Sequence, residues 1–396
     1  MNSLKFSTLL LLLLLTQIGR GDPLDTWTLR SLSLIDKPVY GIAYGNGQFV
    51  AVVWDGSVLT SPDGVNWVQR RTGTTNYLHG ITYGNGQFVA VGGGQDNATG
   101  LDLAGTIVTS ADGTNWVQRS SVATTPLLGV FYLHGQFVAA GESGAIVTSA
   151  DGANWVQQDL GGLWLDHIAY GSGQFVGIGV SALQSPIVLT SADGTNWVHV
   201  QAPATDGLSG IVFGNGQFVA VGGRYPGSTS TIETSHDGVN WVQRQADTSN
   251  QLIGIGYGNG QFVAVGGGQD NATGLNLAGT IVTSPDGVNW VQRPSGTTNS
   301  LFATIYGNGH FVAVGDCGTI LQSGSIINLS ITPNATTGLL SLSLEGPTGL
   351  DYSIQTSTDL ISWQDVTKIT GLSSGKIILD GLSVGTGRVF YRAYSQ

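Results

Sequence analysis

The stretch Tyr44-Gly-Asn-Gly-Gln-Phe-Val-Ala-Val52 recurs through the chain in seven variants, with its Phe at positions 49, 88, 137, 175, 218, 262 and 311. A repeat of roughly 40 to 50 residues restricts a sequence to a propeller or a linear array, because one unit alone cannot bury its apolar surface. Each copy reads as a β-hairpin. Tyr-Gly ends one strand, Asn-Gly makes the turn, and Gln-Phe-Val-Ala-Val begins the next. Asn-Gly suits the turn because both of its positions need φ > 0. The run Phe-Val-Ala-Val has no polar alternation, so it is expected to be covered on both faces.

A second hairpin follows in the same unit. Val58-Leu-Thr-Ser61 leads through Pro-Asp63-Gly64-Val-Asn66 into Trp67-Val-Gln-Arg70. The Asp-Gly pair returns at Asp112, Asp151, Asp193, Asp237 and Asp286, each time with Trp four residues on. In such a turn the Ser hydroxyl and Asp carboxylate accept hydrogen bonds from amides that would otherwise lack partners, and the Trp packs beneath. Two hairpins make a four-stranded antiparallel blade. Six Asp-Gly hairpins accompany the seven Asn-Gly-type hairpins, so the last unit, ending at Ser323-Gly324, lacks a fourth strand. Asp25-Thr-Trp27-Thr-Leu-Arg30 resembles Asn66-Trp67-Val-Gln-Arg70 and precedes it by one repeat length. The expectation is an all-β, seven-bladed β-propeller closed by the N-terminal strand, since closure removes sheet edges that a linear array leaves open. The 61 Gly residues fit the many turns this demands, and no helical periodicity is apparent in the mature part.

Ser-x-Asp-Gly-x-Asn-Trp resembles the Asp box, or bacterial neuraminidase repeat (BNR), of sialidase-like propellers, one residue shorter than the usual form. The resemblance covers residues 25–325. It implies a fold more than a function, because Asp-box propellers include sialidases, xyloglucanases, sortilin-type receptors and photosystem II assembly factors. It also implies that Asp63, Asp112, Asp151, Asp193, Asp237 and Asp286 are structural. Sialidases further need an Arg triad, a Tyr nucleophile paired with Glu, and a Phe/Tyr-Arg-Ile-Pro motif. That motif is absent, and Arg70, Arg119, Arg244 and Arg293 all share one repeated position after the Trp. Arg224, with Tyr225 beside it, stands alone in a middle loop, so sialidase activity is not expected.

Residues 1–21 read as a signal peptide: Lys5, then an apolar core from Phe6 to Leu15, then Gly19 and Gly21 before a cut at Asp22. The core is shorter than the roughly 20 residues that span a bilayer. An uncut N-terminal anchor is the competing reading. Removal of the segment leaves 12 basic and 25 acidic residues, a net charge of −13. Such a surface repels phosphate backbones and argues against nucleic acid as a partner. The product is expected to be secreted, periplasmic or at the cell surface, to be a monomer and to have no membrane span. Cys317 is the single cysteine, which precludes an intrachain disulfide. Sequons stand at Asn97, Asn271, Asn328 and Asn334. Residues 326–396 leave the repeat and carry short strand-like runs. They resemble the C-terminal modules of secreted bacterial proteins, and a small immunoglobulin- or fibronectin-like β-sandwich is expected, with an eighth blade as the alternative. The domain reading is therefore 1–21, 22–325 and 326–396.

Functional variation is expected where the repeats differ. Just before the innermost strand each unit has an apolar residue followed by a variable one: Tyr40, His79, Leu128, Asp166, Ser209, Ile253 and Phe302. These positions suit a channel mouth, and Tyr40, His79, Asp166, His167 and Phe302, with Arg224 and Tyr225, are the candidate ligand-binding residues. Tolerance of any residue at that level is the plainer alternative. Tight middle loops carry Asp55, Glu142 and Asp316, which are candidate glycosidase carboxylates or ordinary turn residues. Near-identical loops at 94–102 and 268–276 invite a Ca²⁺ site through Asp96, Asn97 and Asp102, but their spacing matches no EF-hand. No metal-spaced Cys/His set, phosphate loop or nucleophile elbow is present, and no cofactor is expected. The resulting functional expectation is an exported, non-catalytic binding or scaffold propeller that recognises carbohydrate or protein through its loop face. The alternatives are a glycoside hydrolase using middle-loop acids and an assembly factor.

Overall fold

All seven repeat hairpins turn through two residues with positive φ. Asn46 (48°) and Gly47 (74°) represent the set, and His134 and Ser172 adopt the same conformation where the Asn is replaced. That geometry matches the right-handed twist of the flanking strands. The computed structural model describes residues 22–395 except 31–34, 96–101, 160–162, 182–184, 201–206, 225–228, 247, 249, 270–275, 334–339, 347–350, 359–361, 373–375 and 383–388. The expected signal segment, the sequons at Asn97, Asn271 and Asn334, and Asp96 of the proposed Ca²⁺ loop therefore lie outside the described residues.

Seven four-stranded antiparallel sheets follow one another along the chain. Blade 1 comprises Val39–Gly45, Gln48–Val53, Ser57–Ser61 and Val68–Arg71, in that order from the inside outward. The inner strands of blades 2 to 7 are Tyr77–Gly84, Leu127–Leu133, Trp164–Gly171, Leu208–Gly214, Leu252–Gly258 and Leu301–Gly307. Each inner strand lies beside that of the next blade, and Leu301–Gly307 lies beside Val39–Gly45, so the series returns to its start. The second strands are buried on both faces, as their composition demands. Phe49, Ala51 and Val53 pack with Val312 and Val314 of blade 7. Val50 and Val52 point the other way, onto Leu78, Ile81 and Phe88 of blade 2. The core is thus a succession of inter-blade layers.

Each Asp-Gly turn is a closed hydrogen-bond unit. In blade 1 the Ser61 hydroxyl donates to Asp63 Oδ1 at 2.9 Å and accepts from the Gly64 amide at 2.9 Å. The Val65 and Asn66 amides donate to Asp63 Oδ1, and Asn66 Nδ2 donates to Oδ2. Trp67 Nε1 caps the turn by donating to the Gly64 carbonyl at 2.9 Å. At Asp63 burial pushes the pKa up, but these donors outweigh it and hold the carboxyl at about 2. Asp112, Asp151, Asp193, Asp237 and Asp286 are held well below the usual carboxylate range, chiefly by the same backbone donors.

Two contacts repeat across the seams. The Gln of one hairpin donates to the Asp-turn carbonyl of the next blade: Gln48 to Asp112 (2.7 Å), Gln87 to Asp151 (2.7 Å), Gln136 to Asp193 (3.2 Å), Gln174 to Asp237, and Gln217 to Asp286 (2.6 Å). Between blades 7 and 1 the donor is Gln322, bonded to Asp63 O at 2.8 Å, because His310 occupies the repeat's Gln position in blade 7. The second contact sets an aromatic ring over the Gly that precedes the turn. Tyr83 covers Gly45, Tyr132 covers Gly84, Phe213 covers Gly171, Tyr257 covers Gly214, Tyr306 covers Gly258 and Tyr44 covers Gly307. Blade 3 has Leu133 in place of that Gly, and there Tyr170 stacks on His134 at 4.6 Å instead.

The fourth strand of the blade 7 sheet is Trp27–Leu29, paired antiparallel with Ile320–Ser323 in the register Trp27↔Ser323 and Leu29↔Leu321. Trp27 Nε1 donates to the Leu24 carbonyl three residues back, the geometry of the other repeat tryptophans. Arg30 Nε donates to Gln322 Oε1 at 3.2 Å, and Asp25 pairs with Arg293 of blade 6. Blade 5 departs from the repeat in its third strand: Glu233 is 2% exposed where other blades carry Leu or Val, and burial raises its pKa.

Contacts divide the chain into one unit of residues 24–307 and 311–324 and another containing 325–396. In the second, Asn328–Pro333, Leu340–Glu345 and Lys376–Leu382 form one three-stranded sheet, and Gln364–Ile369, Tyr352–Ser357 and Phe390–Ser395 form another. Leu342, Leu344, Tyr352, Ile354 and Tyr391 share its core.

Gly84→Ala places a methyl inside the ring of Tyr132 and is expected to cost about 1–3 kcal/mol, read as a lowered urea midpoint. The Asp-turn carboxylates have folded-state pKa values below the unfolded value of about 3.9, so their stabilisation is present above that pH and lost as pH falls through the folded values. The melting temperature should drop steeply below about pH 4, and Asp112→Asn should be less stable at pH 7 with a shallower acid drop.

Candidate functional site

The variable positions, expected just before the inner strands, lie inside them, and in blades 1 to 6 they are β-bulges. The pairing of inner and second strands skips a residue at Tyr40, His79, Leu128, Asp166, Ser209 and Ile253. A bulge adds one residue to one strand of a pair and re-aims its side chain, so identity there is free of the ladder. Three consecutive blades place aromatic rings at this level. Tyr40 stacks on Phe302 of blade 7 with centroids 5.2 Å apart and planes at 17°, and meets His79 of blade 2 at 5.5 Å. Trp54, in the middle turn of blade 1, lies 5.3 Å from Tyr40 and 5.9 Å from His79, and stacks on Tyr77 at 3.9 Å. All five rings are partly exposed. They form an arc across blades 7, 1 and 2.

One carboxylate acts on the arc. Burial raises the Tyr40 pKa, and the neighbouring Asp316 carboxylate raises it further. Burial lowers the His79 pKa, which keeps that ring neutral near pH 7. Asp316 opens a short 3₁₀ turn, Asp316–Gly318, and its Oδ1 accepts from the Cys317 amide at 2.9 Å. Asp55 serves its own turn, accepting from the Ser57 amide and hydroxyl at 3.0 and 2.5 Å. Glu142 begins the equivalent turn of blade 3, Glu142–Gly144. The three acids thus occupy separate turns, and two have an oxygen already engaged locally.

Blade 4 carries a second polar group. Burial pushes Asp166 up to about 6 and His167 down to about 4. His167 stands where the other inner strands have Gly41, Gly80, Gly129, Gly210, Gly254 or Ala303. At Gly80 an added Cβ would meet the Gly129 Cα at 3.0 Å, which shows how closely neighbouring strands approach at this level. The His167 ring lies 5.6 Å from Phe131, and its Nδ1 is buried without a hydrogen-bond partner.

Of the residues expected from sequence, the structure brings Tyr40, His79 and Phe302 into mutual ring contact or one ring apart, and sets Asp166 and His167 in a separate group. Arg224 ends the second strand of blade 5, while its side chain and Tyr225 lie outside the described residues. Trp54 and Tyr77 escaped the sequence reading. Aligning the tight middle loops would have exposed the first, since Trp54 holds the position of Glu142 and Asp316. Among the described residues no group of three or more His, Cys, Asp or Glu is placed to hold a metal, and no helix is long and apolar enough to cross a membrane.

No model of a known protein family matches the chain. No curated protein matches it either. Solved structures share its architecture. A catalytically inactive virginiamycin B lyase from Staphylococcus aureus with quinupristin matches at TM-score 0.61 and 13% identity, over 76% of this chain and 99% of that one. YCF48 bound to D1 peptide matches at 0.56 and 16%, over 77% and 98%. The WD40 β-propeller domain of Doa1 matches at 0.55 and 13%, over 76% and 97%. At these identities the likeness establishes the β-propeller fold alone.

Asp166 has a folded-state pKa above its unfolded value, so its penalty appears as pH rises from about 4 to about 6. Asp166→Asn should be more stable than the parent at pH 7 and equal to it near pH 4, as measured by thermal melts at both pH values.

Proposed function

We propose that this chain is an exported, non-catalytic propeller that binds carbohydrate or protein at the aromatic arc of blades 7, 1 and 2. The arc carries the reading: five partly exposed rings drawn from three blades meet in successive contacts, and two of them, Tyr40 and His79, stand at bulges, where the strand ladder does not dictate the side chain. Trp54, Tyr77, Tyr40 and His79 each add a polar edge to an apolar face, the combination that suits sugar rings and peptide side chains. Propellers of similar shape hold D1 peptide in YCF48 and quinupristin in the lyase, so the architecture supports ligands of both sizes. Asp55 and Asp316 are committed to their turns, which weighs against a carboxylate pair for glycoside hydrolysis.

Finer features belong to the same proposal. The six Ser-x-Asp-Gly-x-Asn-Trp turns support membership of the Asp-box (BNR) superfamily. Trp27–Leu29 acts as the strand that closes the ring, and residues 326–396 form an immunoglobulin- or fibronectin-like sandwich after a propeller of 22–325. Residues 1–21 direct export to the cell surface, periplasm or medium, and the mature chain is a monomer with no nucleic-acid partner.

Glycan and peptide arrays probed with the mature chain, beside a hydrolysis assay on the same oligosaccharides, test the reading. Specific binding without turnover, lost in the Tyr40→Ala/Phe302→Ala double variant with its melting temperature unchanged, is the expected outcome. Turnover abolished by Asp316→Asn would replace the binding function with a hydrolase.

A further inference from the structure

The arc also constrains the charge of what it accepts, and the inference below rests on the binding function proposed for it. Each aromatic face carries negative quadrupolar charge, and here Trp54, Tyr77, Tyr40, Phe302 and His79 are gathered within successive ring contacts. The Asp316 carboxylate acts on Tyr40 in the same sense. Nearby, Lys37 is paired with Asp36 at 3.8 Å, so its charge is offset. His79 is neutral because it is buried. The chain as a whole carries a formal net charge of −11. Anionic ligands, including acidic sugars and phosphate esters, would meet repulsion from the ring faces, Asp316 and the net charge, with neither Lys37 nor His79 to offset it.

The hydrogen-bonding groups narrow the choice further. A primary ammonium brings three N–H donors that need acceptors once water is removed. The Asp316 carboxylate acts on Tyr40, its backbone amide bonds the Ser300 carbonyl two residues from Phe302, and its Oδ1 already receives the Cys317 amide. Trp Nε1–H is a donor only, and the acceptors that the arc does hold, the Tyr40 and Tyr77 hydroxyls and one nitrogen of His79, are at ring edges and not on the faces. A quaternary ammonium has no N–H to satisfy and is held by aromatic faces alone.

We propose that the aromatic arc of Tyr40, Trp54, Tyr77, His79 and Phe302, with Asp316 at its edge, binds the quaternary ammonium group of a small organic cation. The methyl groups lie against the exposed ring surfaces and Asp316 balances the charge. Selectivity over an uncharged ligand of equal shape comes from the quadrupoles and the carboxylate together.

The test is a titration of the whole mature chain with choline, followed by ring-proton and Trp indole NMR shifts at constant ionic strength. Uncharged 3,3-dimethylbutan-1-ol serves as the isosteric control, and a neutral hexose oligosaccharide is titrated in parallel. Choline should shift the Trp54 resonances, assigned with Trp54→Phe, and should bind about 10-fold more tightly than the alcohol. Tyr40→Leu should weaken choline at least as much, and Asp316→Asn should weaken it while leaving the alcohol unchanged. Equal affinity for choline and the alcohol overturns the inference, as does choline binding that survives both variants. If the oligosaccharide perturbs Trp54 and choline does not, the cation inference fails and the binding function stands. If neither ligand perturbs the arc and both arrays are blank, both fail.

Discussion

The architecture depends on one hydrogen bond used over and over: a Gln amide in one hairpin donating to the Asp-turn carbonyl of the next blade. It is local on both sides, since the Gln directly follows an Asn-Gly-type turn and the carbonyl belongs to a turn fixed by its own Ser, Asp and Asn. The Asp turn therefore has two tasks. Its side chains satisfy the amides within the turn, and its backbone oxygen is left facing the neighbour. An aromatic ring laid over a glycine one strand inward makes the same seam tight from the apolar side. Because both contacts link consecutive blades, the angle between blades is set by residues within one repeat, and seven repeats return the chain to blade 1.

The two seams of blade 7 show what the rule tolerates. With His310 at the usual Gln position and no Asp turn in its outer hairpin, blade 7 is held to blade 1 by Gln322, which reaches the Asp63 carbonyl and is itself gripped by Arg30. On its other side Asp25 pairs with Arg293. Both substitutes draw on residues 24–30, so the segment that supplies the fourth strand also supplies the charged groups at the seams. This is a stronger reason for that segment to be ordered than strand pairing over three residues would be. The bulges at the inner edge work in the opposite sense. They remove one residue from the ladder in each of blades 1 to 6, and Tyr40, His79 and Asp166 stand at those freed positions.

Much of this was legible in the sequence. The Asn-Gly and Asp-Gly turns have local causes, so their residues announce them, and the two-sided burial of Phe-Val-Ala-Val follows from its lack of alternation. The mismatch between seven hairpins and six Asp turns pointed to Trp27. The repeated Gln was visible but mute, because its partner lies in the next blade and only the seam gives it a role. The site was partly legible: Tyr40, His79 and Phe302 stood out by differing from their counterparts, yet nothing in one dimension says that they touch. Trp54 and Tyr77 join them through the turn geometry of blade 1, which depends on how a middle loop folds over the neighbouring inner strand. Glu233 and His167 likewise look unremarkable until the structure places them where other blades carry apolar residues or glycine.

Hydrogen–deuterium exchange on residues 22–396 and on a variant beginning at residue 31 tests the role of these seams most directly. The account predicts that the truncation strips protection from Ile320–Ser323, His310–Gly315 and Val39–Gly45, while blades 3 to 5 keep theirs until global unfolding. Unchanged protection of Ile320–Ser323 and Val39–Gly45 in the truncated chain would contradict it, because the seams of blade 7 would then hold without the residues assigned to them.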